Sequence, residues 1–162
     1  NARSPSIKLE KIDLNKIIEE VLLLYEGSKC TFTANLSNIP LEIAADTGSM
    51  RQVLHNIFKN AAEAAEEAPA PAVHITTQQE EGNHALLTVT NNGKCFSKEM
   101  LTHAFDPYVT DKPTGTGLGL PVVKKIIEEH GGRITLGNLP DNSGACVKIA
   151  LPELVEEAYA KQ

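Results

Sequence analysis

The 162-residue chain contains no tryptophan, and its aromatic residues amount to only 4% of the whole. Its core must therefore be built from Ala, Val, Ile and Leu. Cysteine is also scarce. Cys30, Cys95 and Cys146 are odd in number, widely spaced and without a Cys-x-x-Cys pair. That pattern argues against a disulfide framework or a zinc site and suits free thiols in a reducing compartment. No apolar run approaches the ~20 residues of a membrane span, and Asn1–Pro5 lack a signal-peptide pattern. Positive charge is in deficit as well. A net charge of −6 argues against a nucleic-acid binder, which needs a clustered Lys/Arg face. An acidic protein can still hold a phosphate ligand through glycine loops and helix N-termini. What remains, 41% hydrophobic and 22% charged residues, is ordinary globular composition for one domain.

Residues Asn1–Glu10 are polar and interrupted by Pro5, which reads as a linker. Asp13 has the character of an N-cap, and Ile17, Ile18, Val21, Leu22 and Tyr25 recur at helical spacing until Gly27. Two strand-like segments follow, Lys29–Leu36 and Leu41–Ala44. The strongest predicted helix is Met50–Glu67, with Val53, Leu54, Ile57, Ala61 and Ala64 in one stripe and Pro69 and Pro71 beyond its end. Val73–Gln79 and Ala85–Thr90 form an antiparallel pair, Ser97–Ala104 a short helix, and Phe105–Gly117 an irregular stretch. A helix over Leu118–His130 ends at Gly131 and Gly132. Arg133–Gly137 and Ala145–Leu151 make a last hairpin, and Pro152 closes the sheet. The predicted fold class is an α/β (α+β) two-layer sandwich, with a mixed sheet of about five strands and three main helices on one face.

Three constellations carry chemistry. Gly115-Thr116-Gly117-Leu118-Gly119-Leu120 is a glycine loop opening into a helix, where backbone N–H groups can approach phosphate oxygens. The loop lacks the preceding strand of a dinucleotide fingerprint and the Gly-Lys-Ser/Thr of a Walker loop. Standing alone, it equally describes a tight turn between packed elements. Asn56 and Asn60 lie four apart on one helical face. Asn is a mediocre helix former, and a magnesium ion held partly by an amide oxygen and mostly by phosphates would explain the pair. Two solvent-facing polar residues would explain it too. In Val89-Thr90-Asn91-Asn92-Gly93-Lys94-Cys95-Phe96 a strand ends in a polar turn from which a side chain can reach a base edge. An Asn-Gly hairpin turn is the alternative.

Taken together and in this order, the three resemble the GHKL ATPase superfamily and its sensor histidine kinases in particular. Residues 51–64, Arg-Gln-Val-Leu-His-Asn-Ile-Phe-Lys-Asn-Ala-Ala-Glu-Ala, resemble the N box, and Asn91–Phe96 stands where the G1 box belongs. Phe105-Asp106-Pro107-Tyr108-Val109-Thr110-Asp111-Lys112 resembles the F box and lid, and Gly115–Leu120 matches the G2 box. Pro-Tyr-Val-Thr before Gly-Thr-Gly-Leu-Gly-Leu is similar to the NtrY-type nitrogen-regulation branch. The resemblance covers roughly residues 11–152 and implies a Bergerat fold, with 1–10 as the linker from absent phosphoacceptor helices and 153–162 as a tail.

By the same resemblance, Asn60 is the main magnesium-coordinating amide and Asn56 assists near the phosphates. Lys112, in the lid, meets the γ-phosphate, and Gly115, Thr116, Gly117, Leu118 and Gly119 cradle the phosphates. Asn91, Gly93 and Cys95 border the adenine, and Phe105 and Tyr108 anchor a lid expected to be mobile when empty. The implied cofactors are ATP and Mg2+. The implied activity is histidine protein kinase, with the γ-phosphate passed to a histidine on the protein's own dimerisation domain and then to a response regulator receiver domain. The isolated domain is expected to be monomeric, cytoplasmic and unable to autophosphorylate, and the full-length protein to be an inner-membrane sensor.

The G1 segment departs from the family pattern twice. Asn91 replaces the Asp that accepts a hydrogen bond from the adenine amine. Losing that charge assistance costs roughly 1–2 kcal/mol, near tenfold in affinity. Cys95 replaces a Gly, which is costly if the backbone there needs positive φ. Two readings follow: a working kinase domain with softened adenine binding, or a degenerate module with weak or no ATP binding that serves as a regulatory interaction domain. A gyrase-like or mismatch-repair ATPase and an anti-sigma-factor-type serine kinase share the fold but fit the lid segment less well. None of His55, His74, His84, His103 and His130 is followed by Glu or Asp, so none reads as the phosphoacceptor.

Overall fold

The computed structural model describes residues 7–106 and 119–155. Its strands are β1 (Glu10–Asp13), β2 (Thr31–Asn35), β3 (Glu42–Ala45), β4 (Ala72–Glu80), β5 (His84–Asn91), β6 (Arg133–Asn138) and β7 (Ala145–Pro152). Its helices are α1 (Leu14–Leu22), α2 (Thr47–Ala65), α3 (Lys98–His103) and α4 (Gly119–Glu129). Five strands form a mixed sheet in the order β2-β4-β5-β7-β6, with β2 parallel to β4 and the other neighbours antiparallel. β1 and β3 pair separately, also antiparallel.

Period-two alternation decides which face of the sheet is covered. Val73, Ile75 and Thr77 of β4 lie opposite Asn91, Val89 and Leu87 of β5, and all six are buried. Leu87 and Ala85 in turn face Ile149 and Leu151 of β7. The intervening His74, Gln78, Lys148, Arg133 and Thr135 are exposed. α2 lies on the apolar face through Met50, Val53, Leu54, Ile57, Phe58, Ala61 and Ala65. α1 contributes Leu14, Ile17, Ile18 and Val21 to the same core, and α4 contributes Val123, Ile126 and Ile127. This is the expected two-layer sandwich.

Two boundaries differ from the sequence reading. The segment read as linker through Glu10 ends in β1, because Glu10–Asp13 pairs with Glu42–Ala45 of β3, a distant partner that local pattern does not reveal. α2 begins at Thr47, three residues before the predicted start at Met50, because Asp46 caps it by accepting the Ser49 N–H at 2.9 Å. At the other end of the sandwich, buried Asn15 donates to the carbonyls of Ser37 and Ile39 and accepts the Thr77 hydroxyl at 2.6 Å. That satisfied network ties α1 and the β2–β3 connection to β4.

Candidate active site

α2 presents Asn56 and Asn60 on the flank where α4 packs, both half-buried. Gly119 opens α4 against them. A Cβ built on Gly119 would lie 3.5 Å from Asn56 Oδ1 and 3.8 Å from Asn60 Nδ2. Any longer side chain at 119 would fill the space between the helix start and the two amides. The structure thus brings together Asn56, Asn60 and Gly119, which lie some sixty residues apart in the sequence. Tyr108, Lys112, Gly115, Thr116, Gly117 and Leu118, and with them the lid, lie outside the described residues.

The end of β5 is built differently. Asn91 is buried, and its Oδ1 accepts the Gly93 N–H at 2.8 Å, a local Asx-type turn. Asn92 accepts the Ala72 N–H at 2.9 Å and donates to the Ala70 carbonyl at 2.7 Å. The Lys94 N–H donates to the Ala64 carbonyl at 2.7 Å. Gly93 is required here by close approach: a Cβ on it would fall 2.1 Å from the Ala64 oxygen. The turn is therefore pressed onto the C-terminal end of α2, the helix that carries Asn56 and Asn60.

Cys95 costs less than its position in the motif suggests. Among the described non-glycine residues only Asn83, Asp141 and Asn142 have positive φ, so the backbone at 95 accepts a Cβ. Its thiol donates to the Gly144 carbonyl at 3.4 Å. Next to it, Asn138 accepts the Phe96 N–H at 2.8 Å and donates to the Phe96 carbonyl at 2.9 Å. Gly144 packs so closely on the Asn91 carbonyl that a Cβ would lie 1.8 Å from that oxygen. Asn138 and Gly144 are the supports that sequence reasoning missed. Both come from the β6–β7 hairpin, and no local motif announces a clamp on a turn forty residues earlier.

Other expectations are placed as follows. Phe105 packs on the core, with the Lys124 ammonium 5.5 Å from its ring centre, a cation–π contact. His130 Nε2 accepts the Asp46 N–H at 3.1 Å, and its Nδ1 lies 2.7 Å from the Ile126 carbonyl. It is therefore a structural residue joining the end of α4 to the start of α2. His74 and His103 are exposed, and His84 is half-buried. Burial pushes the thiols of Cys30 and Cys146 up, away from the thiolate form. No group of three or more His, Cys, Asp or Glu residues able to hold a metal occurs among the described residues. A cation here would need amide oxygens, which Asn56 and Asn60 could supply, together with phosphate oxygens from a ligand. A cleft of about 750 Å³ lies between the end of α1 and β2 and includes neither Asn56, Asn60 nor Asn91.

A helix amide pair, a helix-opening glycine set against it and a strand-end turn pressed on the same helix point to a class of nucleotide-binding folds. A model of that class, the histidine kinase-, DNA gyrase B-, and HSP90-like ATPases, matches residues 45–155, and the chain belongs to this family. Within it, the chain's relatives are sensor histidine kinases. The sensor histidine kinase ZraS of Escherichia coli O157:H7 is 38% identical over 152 residues, covering 90% of this chain and 32% of that protein. The nitrogen regulation protein NtrY of Azorhizobium caulinodans is 32% identical over 157 residues, covering 93% of this chain and 20% of that protein. The chain thus spans a third or less of these relatives' length. The nucleotide-free catalytic domain of histidine kinase ThkA superposes with a TM-score of 0.80 at 32% identity, over 91% of this chain and 98% of that one. ThkA has also been solved in complex with the response regulator protein TrrA, with a TM-score of 0.75 at 29% identity over 92% of this chain and 43% of that one.

Proposed function

We propose that this domain binds Mg-ATP between α2, the end of β5 and the start of α4, and presents the γ-phosphate to a histidine on a separate dimerisation domain. A response regulator receiver domain then takes the phosphoryl group. The observation that carries this reading is the seating of Gly119 against the amides of Asn56 and Asn60. A helix start of bare glycine backbone attracts phosphate oxygens. Magnesium, when bound, would neutralise phosphate charge, and Asn60 with Asn56 would hold it. Asn91, Gly93 and Cys95 border the base, while Tyr108, Lys112, Gly115, Thr116, Gly117 and Leu118 close over the phosphates.

In the transfer, the bond between the γ-phosphorus and the bridging oxygen of ADP breaks as a bond to the acceptor imidazole nitrogen forms. The protein's part is to align the phosphates in line with that nitrogen and keep water away. Sensor architecture, cytoplasmic placement of this domain and a membrane anchor elsewhere in the protein belong to the same proposal. Within the described residues no helix is long and apolar enough to cross a membrane.

One observation favours the second reading, a regulatory module with little ATP binding: the Asn91 oxygen is already engaged by the chain. Calorimetric titration with AMPPNP, with and without magnesium, separates the two. Saturation below millimolar nucleotide that weakens when magnesium is withheld supports the kinase domain. No saturation at millimolar nucleotide assigns the chain to the regulatory module.

A further inference from the structure

We propose that the open edge of β2 and the cleft beside it form a docking groove for an extended segment of a partner protein, one with apolar side chains at alternate positions and Lys or Arg between them.

β2 ends the sheet, and β4 is its only strand partner among the described residues. Thr31 donates its N–H to the Pro71 carbonyl at 2.9 Å, on the β4 side. Strand alternation then turns the N–H and C=O groups of Phe32 and Ala34 to the other side, where no strand lies. Such a row of unpaired donors and acceptors is a template for a further strand. Little blunts it. The strand reads Thr-Phe-Thr-Ala-Asn, with neither Lys nor Pro, and only Phe32 is not exposed.

The surface beside this edge suits the side chains of an added strand. The end of α1 and the 3-10 turn Leu23–Tyr25 stand across the cleft of about 750 Å³ from β2. Leu22, Leu23 and Tyr25 line one wall, and Phe32, Ala34 and Leu36 the other. Phe32 packs on Tyr25 with ring centres 4.7 Å apart, and both rest on the core. The cleft therefore prolongs the layer between helices and sheet past the last strand. An added strand would lay every second side chain into it and cover Leu23, which is 63% exposed.

The rim sets the charge. Glu19 and Glu26 line the cleft, and no Lys or Arg among the described residues does. Neither carboxylate has an ion-pair partner among the described residues, whereas the adjacent Glu20 is paired with Arg51 at 2.6 Å. Two unpaired carboxylates beside apolar walls favour a segment that is both cationic and apolar. A second copy of this chain fits poorly, because pairing edge to edge would bring two such acidic clefts together.

The test titrates the protein with the nonapeptide Lys-Val-Lys-Val-Thr-Val-Lys-Val-Lys and with its counterpart carrying Glu in place of Lys, reading affinity and backbone amide exchange together. The expected result is saturable binding of the Lys peptide, roughly tenfold or more tighter than the Glu peptide. Exchange at the Phe32 and Ala34 amides slows about tenfold in the complex. Glu19→Lys combined with Glu26→Lys reverses the preference between the peptides. Ala34→Pro removes an outward N–H where an edge strand tolerates proline, and it abolishes binding while a cooperative thermal transition persists. Binding that leaves the Phe32 and Ala34 amides unprotected would be general attraction to an acidic surface and overturns the proposal. Equal affinity for the two peptides overturns it, as does a lack of saturation at millimolar peptide. A dimer that protects these amides without peptide would give the edge to a second copy and overturns it also. Should Ala34→Pro not fold, amide protection and the charge reversal decide the matter.

Discussion

Two pairs of asparagines meet around this site, and they do opposite work. Asn91 and Asn92, at the end of β5, spend their side chains on the backbone: Gly93, Ala72 and Ala70 are their partners. Asn56 and Asn60, on α2, lie beside the bare backbone of Gly119, and the Asn56 amide has no hydrogen bond among the described residues. One pair shapes the chain, while the other is the pair proposed above to meet a ligand. The same residue type, drawn from the same polar patterning, is a structural fastener in one place and a candidate ligand in the other. What separates them is the availability of backbone donors and acceptors. A strand end leaves such groups unpaired, and a helix interior does not.

The comparison breaks first at Gly93. Gly93→Ala forces a methyl group into the Ala64 carbonyl and is expected to cost about 3 kcal/mol of stability, measured by chemical denaturation. A loss under about 1 kcal/mol would mean that the turn is not a fixed frame. Next comes the helix pair. Asn60→Ala is expected to weaken magnesium-dependent AMPPNP binding on the order of a hundredfold while the cooperative unfolding transition persists. Equal binding with and without magnesium in wild type and variant would remove Asn60 from the metal's surroundings. Asn92→Ala should do the reverse. It loses two hydrogen bonds to backbone, roughly 1–2 kcal/mol of stability, with nucleotide affinity changed less than about threefold, under 1 kcal/mol. A larger affinity loss would place Asn92 at the ligand and erase the contrast.

The smallest effect concerns acid. The carboxyl of Asp46 is held below its ordinary range by the Lys8 N–H and then by the Ser49 N–H. A carboxylate depressed in the folded state contributes stability above the ordinary carboxylate range, and that contribution fades as pH falls through the folded value. Asp46→Asn should therefore lower the melting temperature at neutral pH and flatten its fall with acid. Parallel melting curves against pH for the two proteins would show that Asp46 carries none of this dependence.

How much of this was legible beforehand follows from the range of the forces involved. The stripe Val53, Leu54, Ile57 and Ala61 announces α2 because helix periodicity is local, and the alternation in Val73–Gln79 announces β4 for the same reason. The order of the motifs made Asn56, Asn60 and Gly119 readable as one site, and the structure does bring these three together. β1 was not legible, since Glu10–Asp13 is a strand only by virtue of β3. The hydrogen bond of Asn91 was not legible either. An Asn at that position reads as an acceptor for a base, and only the geometry of the turn shows the oxygen facing Gly93. The cost feared at Cys95 depended on a backbone angle that no residue type reports, and that angle is not positive.

Asp46 ties three distant stretches into a single knot. One carboxylate oxygen takes the Lys8 N–H at 2.8 Å, the other caps α2 through Ser49, and its own N–H reaches His130 at the foot of α4. A tug on the chain where it runs into β1 therefore reaches the start of α2 and the end of α4, each about ten residues along its helix from Asn56 or Gly119. The entry strand is thus moored to the ends of α2 and α4 that lie away from Gly119, so a load on it passes toward Asn56, Asn60 and Gly119 only along the bodies of those two helices.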